Sequence, residues 1–141
     1  MNVTAYDLAQ RFVGVKEIAG ASSTPIILAM LQLDGTWPKD DSVPWCSAFT
    51  NFVAWLLRLP RSKSLAARSW LSIGRPIPIE DAIAENDVVV LEREGGGHVG
   101  FFARYEQTMQ TVWILGGNQK DSVCVEDFPA ARVLGVRRLA E

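Results

Sequence analysis

Hydrophobic and polar positions divide the chain into a helix-patterned first half and a strand-patterned second half. Thr4 with Asp7 three residues on has the form of a capping box, and Leu8, Phe12 and Val15 follow at helical spacing, with Gly14 and Gly20 limiting the segment. A second helix is predicted from Ser23 or Thr24, with Pro25 at its first position, through Ile26, Ile27, Met30, Leu31 and Leu33 to a stop at Asp34-Gly35. From Asp34 to Pro44 turn formers and prolines exclude a regular helix. Phe49, Phe52, Val53, Leu56 and Leu57 then recur at helical spacing, which predicts a helix with Cys46 in its first turn, ending near Leu59-Pro60. A short amphipathic segment from Ala66 to Leu71, carrying Trp70, is the last predicted helix before Gly74-Arg75-Pro76-Ile77-Pro78 breaks the pattern.

Beyond the break the period changes. Asp87 to Glu92 is a β-branched run, followed by His98 to Arg104, Thr111 to Leu115, Ser122 to Val125 and Arg132 to Arg137, all joined by short polar connections. Such spacing predicts an antiparallel meander. Helices first and strands after make an α+β domain over residues 1–141, with the sheet packed on, or closed by, the Cys46 helix. No repeat, low-complexity tract or linker interrupts it.

Composition narrows the function more than the fold. A chain of 141 residues, 48% hydrophobic and 21% charged, is an ordinary globular domain. Its net charge of −2 gives no basic footprint for nucleic acid or an anionic membrane. Two cysteines make no disulfide framework, so a reduced protein is expected. Residues 1–7 lack the basic and apolar regions of a signal peptide, and no run has membrane-spanning length, so a cytoplasmic protein without membrane insertion is expected.

The candidate chemistry centres on Cys46. At a helix start, unpaired N–H groups and the dipole favour the thiolate that a nucleophile needs. The competing reading is a small buried apolar residue. His98, the one histidine, opens a strand directly behind three glycines and is the base the chain offers to a thiol, although a lone histidine also serves as an ordinary core or surface residue. If the strands from His98 and from Thr111 pair around Tyr105 to Thr108, opposed residue numbers sum to about 215 or 216 and His98 lies across from Gly117 or Asn118. An amide oxygen there would accept from imidazole Nδ1–H and leave Nε2 facing the thiol. Gly116-Gly117-Asn118-Gln119 reads equally as a tight turn. Glu17, placed at or beyond the end of the first helix, reads either as a solvated acid or as a group with a specific partner. Trp45 and Trp37 are candidates to line the cleft or to fill the core, and Cys124 reads as a structural strand residue.

Pro44-Trp45-Cys46-Ser47-Ala48-Phe49, Gly97-His98-Val99-Gly100 and Gly116-Gly117-Asn118-Gln119 together resemble the CHAP family of cysteine- and histidine-dependent amidohydrolases and peptidases, in particular its single-domain phage lysis members. The likeness extends from about Thr4 to Arg138 and takes in Glu17 and Ala67 to Leu71. It implies a papain-like fold and cleavage of peptidoglycan as an N-acetylmuramoyl-L-alanine amidase or endopeptidase. The family's nucleophile, base and third residue fall on Cys46, His98 and Asn118, and Trp45, Trp37, Gln119 and Glu17 become substrate-binding candidates. No cofactor is implied. Asp40 and Asp41 do not form the family's calcium loop, so no metal is expected. The expected partner is bacterial peptidoglycan, met by a monomer released to the wall by a holin or another route. A non-catalytic phage structural or wall-binding module and an acyl-transferring enzyme with the same triad are the alternative readings.

Overall fold

The computed structural model describes residues 2–17, 24–35 and 45–141. Helix α1 (Ala5–Ala9) has the predicted capping box: Thr4 Oγ1 accepts from the Asp7 N–H at 3.1 Å and Asp7 Oδ2 from the Thr4 N–H at 3.0 Å. It is shorter than its apolar spacing predicts. After a 3-10 turn at Gln10–Phe12 the chain passes Gly14 in the left-handed region and becomes extended. Residues 14–17 run along the last hairpin, residues 111–129, with Val123 N–H donating to Val15 O at 2.7 Å and Glu17 N–H to Asp121 O at 2.9 Å. Glu17 therefore belongs to an extended strip rather than to a helix end. Helix α2 (Pro25–Gln32) has Pro25 in its first turn, as predicted, and α3 spans Cys46–Leu56. The segment around Trp70 is a 3-10 helix, Ala67–Ser72, whose indole N–H donates to Ser47 Oγ at 3.0 Å.

Six strands form one antiparallel sheet: β1 (Arg75–Ile77), β2 (Asp87–Arg93), β3 (Gly96–Glu106), β4 (Thr111–Gln119), β5 (Ser122–Pro129) and β6 (Val133–Arg138), in the order β1-β6-β2-β3-β4-β5. β2 to β5 is the predicted meander. β6 leaves it, crossing back to pair with β2 and β1. β1 was not expected, because proline is excluded from central strands; Pro76 is tolerated here on a three-residue edge strand.

Both faces of the sheet are covered. Val88, Val90, Val99, Phe101, Leu115 and Val123 pack against the three helices and Trp70, with the Phe101 ring 6.1 Å from that of Phe49 in an edge-on contact. Val89, Leu91, Phe102, Val112, Ile114 and Val136 form a second core with Ile77. This explains why Val88 to Leu91 is apolar without alternation: each side chain is fully buried, on one face or the other, and each contributes about 1.5–3 kcal/mol.

The feature that positions the site is a fork. β3 and β4 pair from Glu106↔Thr111 to Phe101↔Leu115, with a bulge at Ala103, and the pairing stops there. Residues 96–100 stay with β2 and residues 116–119 with β5. At Phe101 and Phe102 the opposed numbers sum to 216, as predicted; the bulge shifts the far end by one and moves the turn on to Gln107–Gln110. Among the described residues no helix is long and apolar enough to cross a membrane.

Candidate active site

Cys46 is the first residue of α3, and the N-cap residue before it, Trp45, is fully buried. The Trp45 indole N–H donates to Glu17 Oε1 at 2.6 Å, which ties the start of α3 to the extended strip of residues 14–17. The ring lies against Gly117: a Cβ there would stand 2.7 Å from Trp45 Cζ3 and 2.8 Å from Phe49 Cβ. Glycine at 117 is what lets the helix start enter the fork.

The Cys46 sulfur is met by backbone N–H groups of Val99 and Ser47. Burial pushes the thiol pKa up, while those N–H groups and the positive charge of Arg93 pull it down. With 3% exposure, burial wins and the resting group is the thiol. Helix position alone predicted a thiolate. The opposing cost is desolvation, which sequence pattern does not report. Above Cys46 lies a groove of about 430 Å³ lined by Leu65, Ala66, Ala67, Arg68, Arg93, Glu94, the glycines 95–97 and Asn118.

His98 precedes Val99 on β3, so strand alternation sends its imidazole to the second face of the sheet, where it packs 5.3 Å from the Phe128 ring. Its Nε2 lies 2.8 Å from Gln119 Oε1. The Gln119 amide has one available orientation, because its Nε2 donates to Ile114 O at 3.1 Å and Cys124 O at 2.7 Å. Oε1 is then the acceptor and His98 Nε2 must carry the hydrogen. His98 Nδ1 is left with a bare lone pair, and it is buried without a hydrogen-bond partner. Burial lowers the imidazole pKa from 6.5 to about 4; the Gln119 bond opposes this, and the charges of Arg93 and Arg132 add to it. Cys46 and His98 thus rest as a neutral thiol on the α3 side of the sheet and a neutral imidazole on the other side, with no hydrogen bond between them among the described residues.

The predicted roles are redistributed. The expected geometry, with Nδ1–H on an amide and Nε2 facing the thiol, is reversed: Nε2–H takes the amide and Nδ1 is the free nitrogen. The amide is that of Gln119 rather than Asn118. Asn118 adopts φ +58°, a left-handed conformation asparagine tolerates, and this turns the next side chain under Gly116, where a Cβ would meet Gln119 Oε1 at 2.6 Å. Asn118 itself lines the Cys46 groove, and Gln119, 2% exposed, does not. Trp45 is a core residue and Glu17 its hydrogen-bond partner, so neither lines the groove. Trp37 lies outside the described residues, as do Asp40 and Asp41. Cys124 supports Gln119, its thiol donating to Gln119 O at 3.4 Å. Arg68 and Arg93 were not foreseen; nothing in the local pattern of an exposed arginine separates a groove residue from a solvated one. Among the described residues no group of three or more His, Cys, Asp or Glu is placed to hold a metal.

No protein-family model and no curated protein sequence matches the chain. Among solved structures, that of NlpC1 from Trichomonas vaginalis matches with a TM-score of 0.55 at 16% identity, over 96% of this chain and 42% of that one. The chain spans less than half the length of that neighbour, and at this identity the likeness is one of fold.

Proposed function

We propose that the protein is a papain-like cysteine hydrolase that cleaves amide bonds of bacterial peptidoglycan, of the CHAP or NlpC/P60 kind, with Cys46 as nucleophile and His98 as base. The observation that carries this reading is the tautomer: Gln119 holds the proton on Nε2 and leaves Nδ1 as a buried, unpartnered acceptor on the residue before Val99, whose backbone N–H helps to lower the Cys46 pKa. A core histidine kept only for packing would satisfy both nitrogens. Fold and motif agree with it, through the likeness to NlpC1 and the CHAP-like blocks around Cys46 and His98.

In this mechanism the thiol proton passes to Nδ1 as the sulfur attacks the scissile carbonyl, because a neutral pair transfers its proton in the attack rather than before it. The imidazolium then protonates the leaving amine, and water releases the thioester with His98 again as base. The Cys46 N–H at the start of α3 is the oxyanion donor. In the resting structure the imidazole lies on the face of the sheet turned away from α3, so this step requires the ring to swing through the fork to reach the sulfur. A phage lysis enzyme reaching the wall through a holin is the setting we propose.

Cys46→Ala should abolish turbidity loss on purified cell walls while leaving the melting temperature nearly unchanged; an active variant would sink the reading. Mass spectrometry of the products then separates amidase, with a new N-terminal alanine and unlinked glycan, from endopeptidase, with a new amine within the stem or bridge. One observation favours a non-catalytic wall-binding module instead: the buried thiol makes no contact with Nδ1 in the resting structure. Walls that are bound but never cut would decide for that module.

A further inference from the structure

The far end of α3 lies about 15 Å along the helix from Cys46. The helix closes there in a Schellman turn, with Leu59 N–H donating to Ala54 O at 2.9 Å and Arg58 N–H to Trp55 O at 3.1 Å. Arg58 takes the position usual for glycine, at φ +57°, and Lys63 is also left-handed at φ +56°, its N–H donating to Asn51 Oδ1 at 3.0 Å. Two cations thus stand in a backbone conformation that glycine adopts without strain, and both are anchored to α3. They border a hollow of about 820 Å³ whose exposed apolar surface comes from Trp55, Leu56 and Pro60. Arg61 on its rim is paired with Asp34 at 3.0 Å. The side chains of Arg58 and Lys63 make no hydrogen bond or ion pair among the described residues, and among these no carboxylate lines the hollow.

We propose that this hollow binds a phosphodiester-linked sugar polymer of the bacterial wall, Trp55 taking the face of a sugar ring and Arg58 and Lys63 the phosphate beside it. Unpaired cations next to an aromatic floor match a ring that carries a fixed anion, and the guanidinium fork donates two parallel hydrogen bonds to phosphate oxygens. Shape and size exclude the other occupants. A protein partner needs about 20–30 residues on each side, whereas one stretch, residues 55–63, builds the hollow. A bilayer takes up a raised apolar face rather than a recess, and a chain of net charge −2 offers no basic stripe to track a nucleic acid strand. A polymer held at one end of α3 keeps the wall beside the groove at the other end and raises the effective concentration of its amides there. The choice of a wall polymer rests on the reading of the protein as wall-directed, but the site does not depend on the chemistry of Cys46.

The test uses purified walls that retain their phosphodiester-linked polymer and the same walls stripped of it by cold hydrofluoric acid, which leaves the peptide carboxylates in place. Co-sedimentation is measured with the Cys46→Ala protein, so that the wall stays intact, and cutting of both walls with the wild type. Unstripped walls should be bound roughly tenfold or more tightly than stripped ones. Trp55→Ala, and separately Arg58→Gly with Lys63→Gly, should abolish that preference. The glycine pair should do so without lowering the urea midpoint, because glycine is at ease where the two cations are strained. Arg75→Gln with Arg104→Gln, which removes the same charge from the sheet, should leave the preference intact. Equal binding of both walls, an undiminished preference in the glycine pair or in Trp55→Ala, or an equal loss in the sheet pair overturns the proposal. So does tighter binding of anionic vesicles or of a single-stranded oligonucleotide than of the isolated polymer. Cutting without any polymer preference overturns it and leaves the hydrolase reading standing, whereas a preference without cutting supports it and removes the hydrolase reading.

Discussion

At the scale of single residues the site turns on which hydrogen each nitrogen carries. Gln119→Leu should lower hydrolysis by about ten- to a thousandfold, because the imidazole loses the oxygen that fixes its tautomer, whereas Asn118→Ala should act weakly since Asn118 does not touch His98. Gln119→Glu is the sharper change: a carboxylate on Nε2 raises the His98 pKa, and the acidic limb of kcat/KM should move upward from its wild-type position near pH 4, while Asn118→Asp should move it little. The same histidine sets a stability slope. Its folded pKa of about 4 lies below the unfolded value of 6.5, so between these pH values the unfolded chain takes a proton that the folded chain refuses, and stability falls as pH falls. The full effect is about 3 kcal/mol, reached below pH 4. Urea unfolding at pH 7 and pH 4 should therefore show a smaller loss for His98→Gln than for the wild type, the shared carboxylate titrations cancelling in the comparison.

At the scale of elements, the fork between β3 and β4 makes the site, and the sequence foretold only part of it. The pairing register was legible, because one-face hydrophobic matching and a short turn leave little freedom. The Ala103 bulge and the end of pairing at Phe101↔Leu115 were not, since they depend on what enters the fork, namely Trp45 and the start of α3. For the same reason Gly116 and Gly117 read as a turn. They are strand residues kept small by neighbours distant in sequence, and the real turn falls at Lys120-Asp121, both with positive φ. Asn118 and Gln119 were exchanged because a single left-handed residue resets the alternation on which facing arguments rest. Gly117→Ala tests the packing directly. Its Cβ meets two buried aromatic side chains that cannot yield, so it should cost about 1–3 kcal/mol in urea unfolding. Glu17→Ala should cost about the same by stranding the Trp45 indole N–H, and Glu17→Gln, which keeps an acceptor, should restore most of it.

At the scale of the whole molecule, the sheet is not finished by the meander. Sequence order suggests β6 beside β5, yet β6 inserts between β1 and β2, and the second core depends on it, because Val136 packs there with Val89 and Ile77. A strand that crosses the molecule needs a register marker, and Asp87 supplies one. Directly paired with Arg138 across the two strands, it is 1% exposed and accepts from Arg138 Nε at 2.8 Å, from Arg138 Nη2 at 2.9 Å and from the Ile83 N–H at 2.8 Å. Slipping β6 by one residue would strand a buried carboxylate as well as expose Val136, so two separate costs enforce the same register. The exposed Arg75–Glu141 pair on the neighbouring edge offers no such penalty. Asp87→Ala leaves the Ile83 N–H without its acceptor and the mostly buried Arg138 guanidinium without its counter-charge, holding only the Asp81 carbonyl, and should cost about 3 kcal/mol in urea unfolding. Asp87→Asn keeps an acceptor but loses the charge and should fall between the two, and Glu141→Ala should leave the urea midpoint unchanged. Equal, small effects at Asp87 and Glu141 would mean that hydrophobic matching alone seats β6.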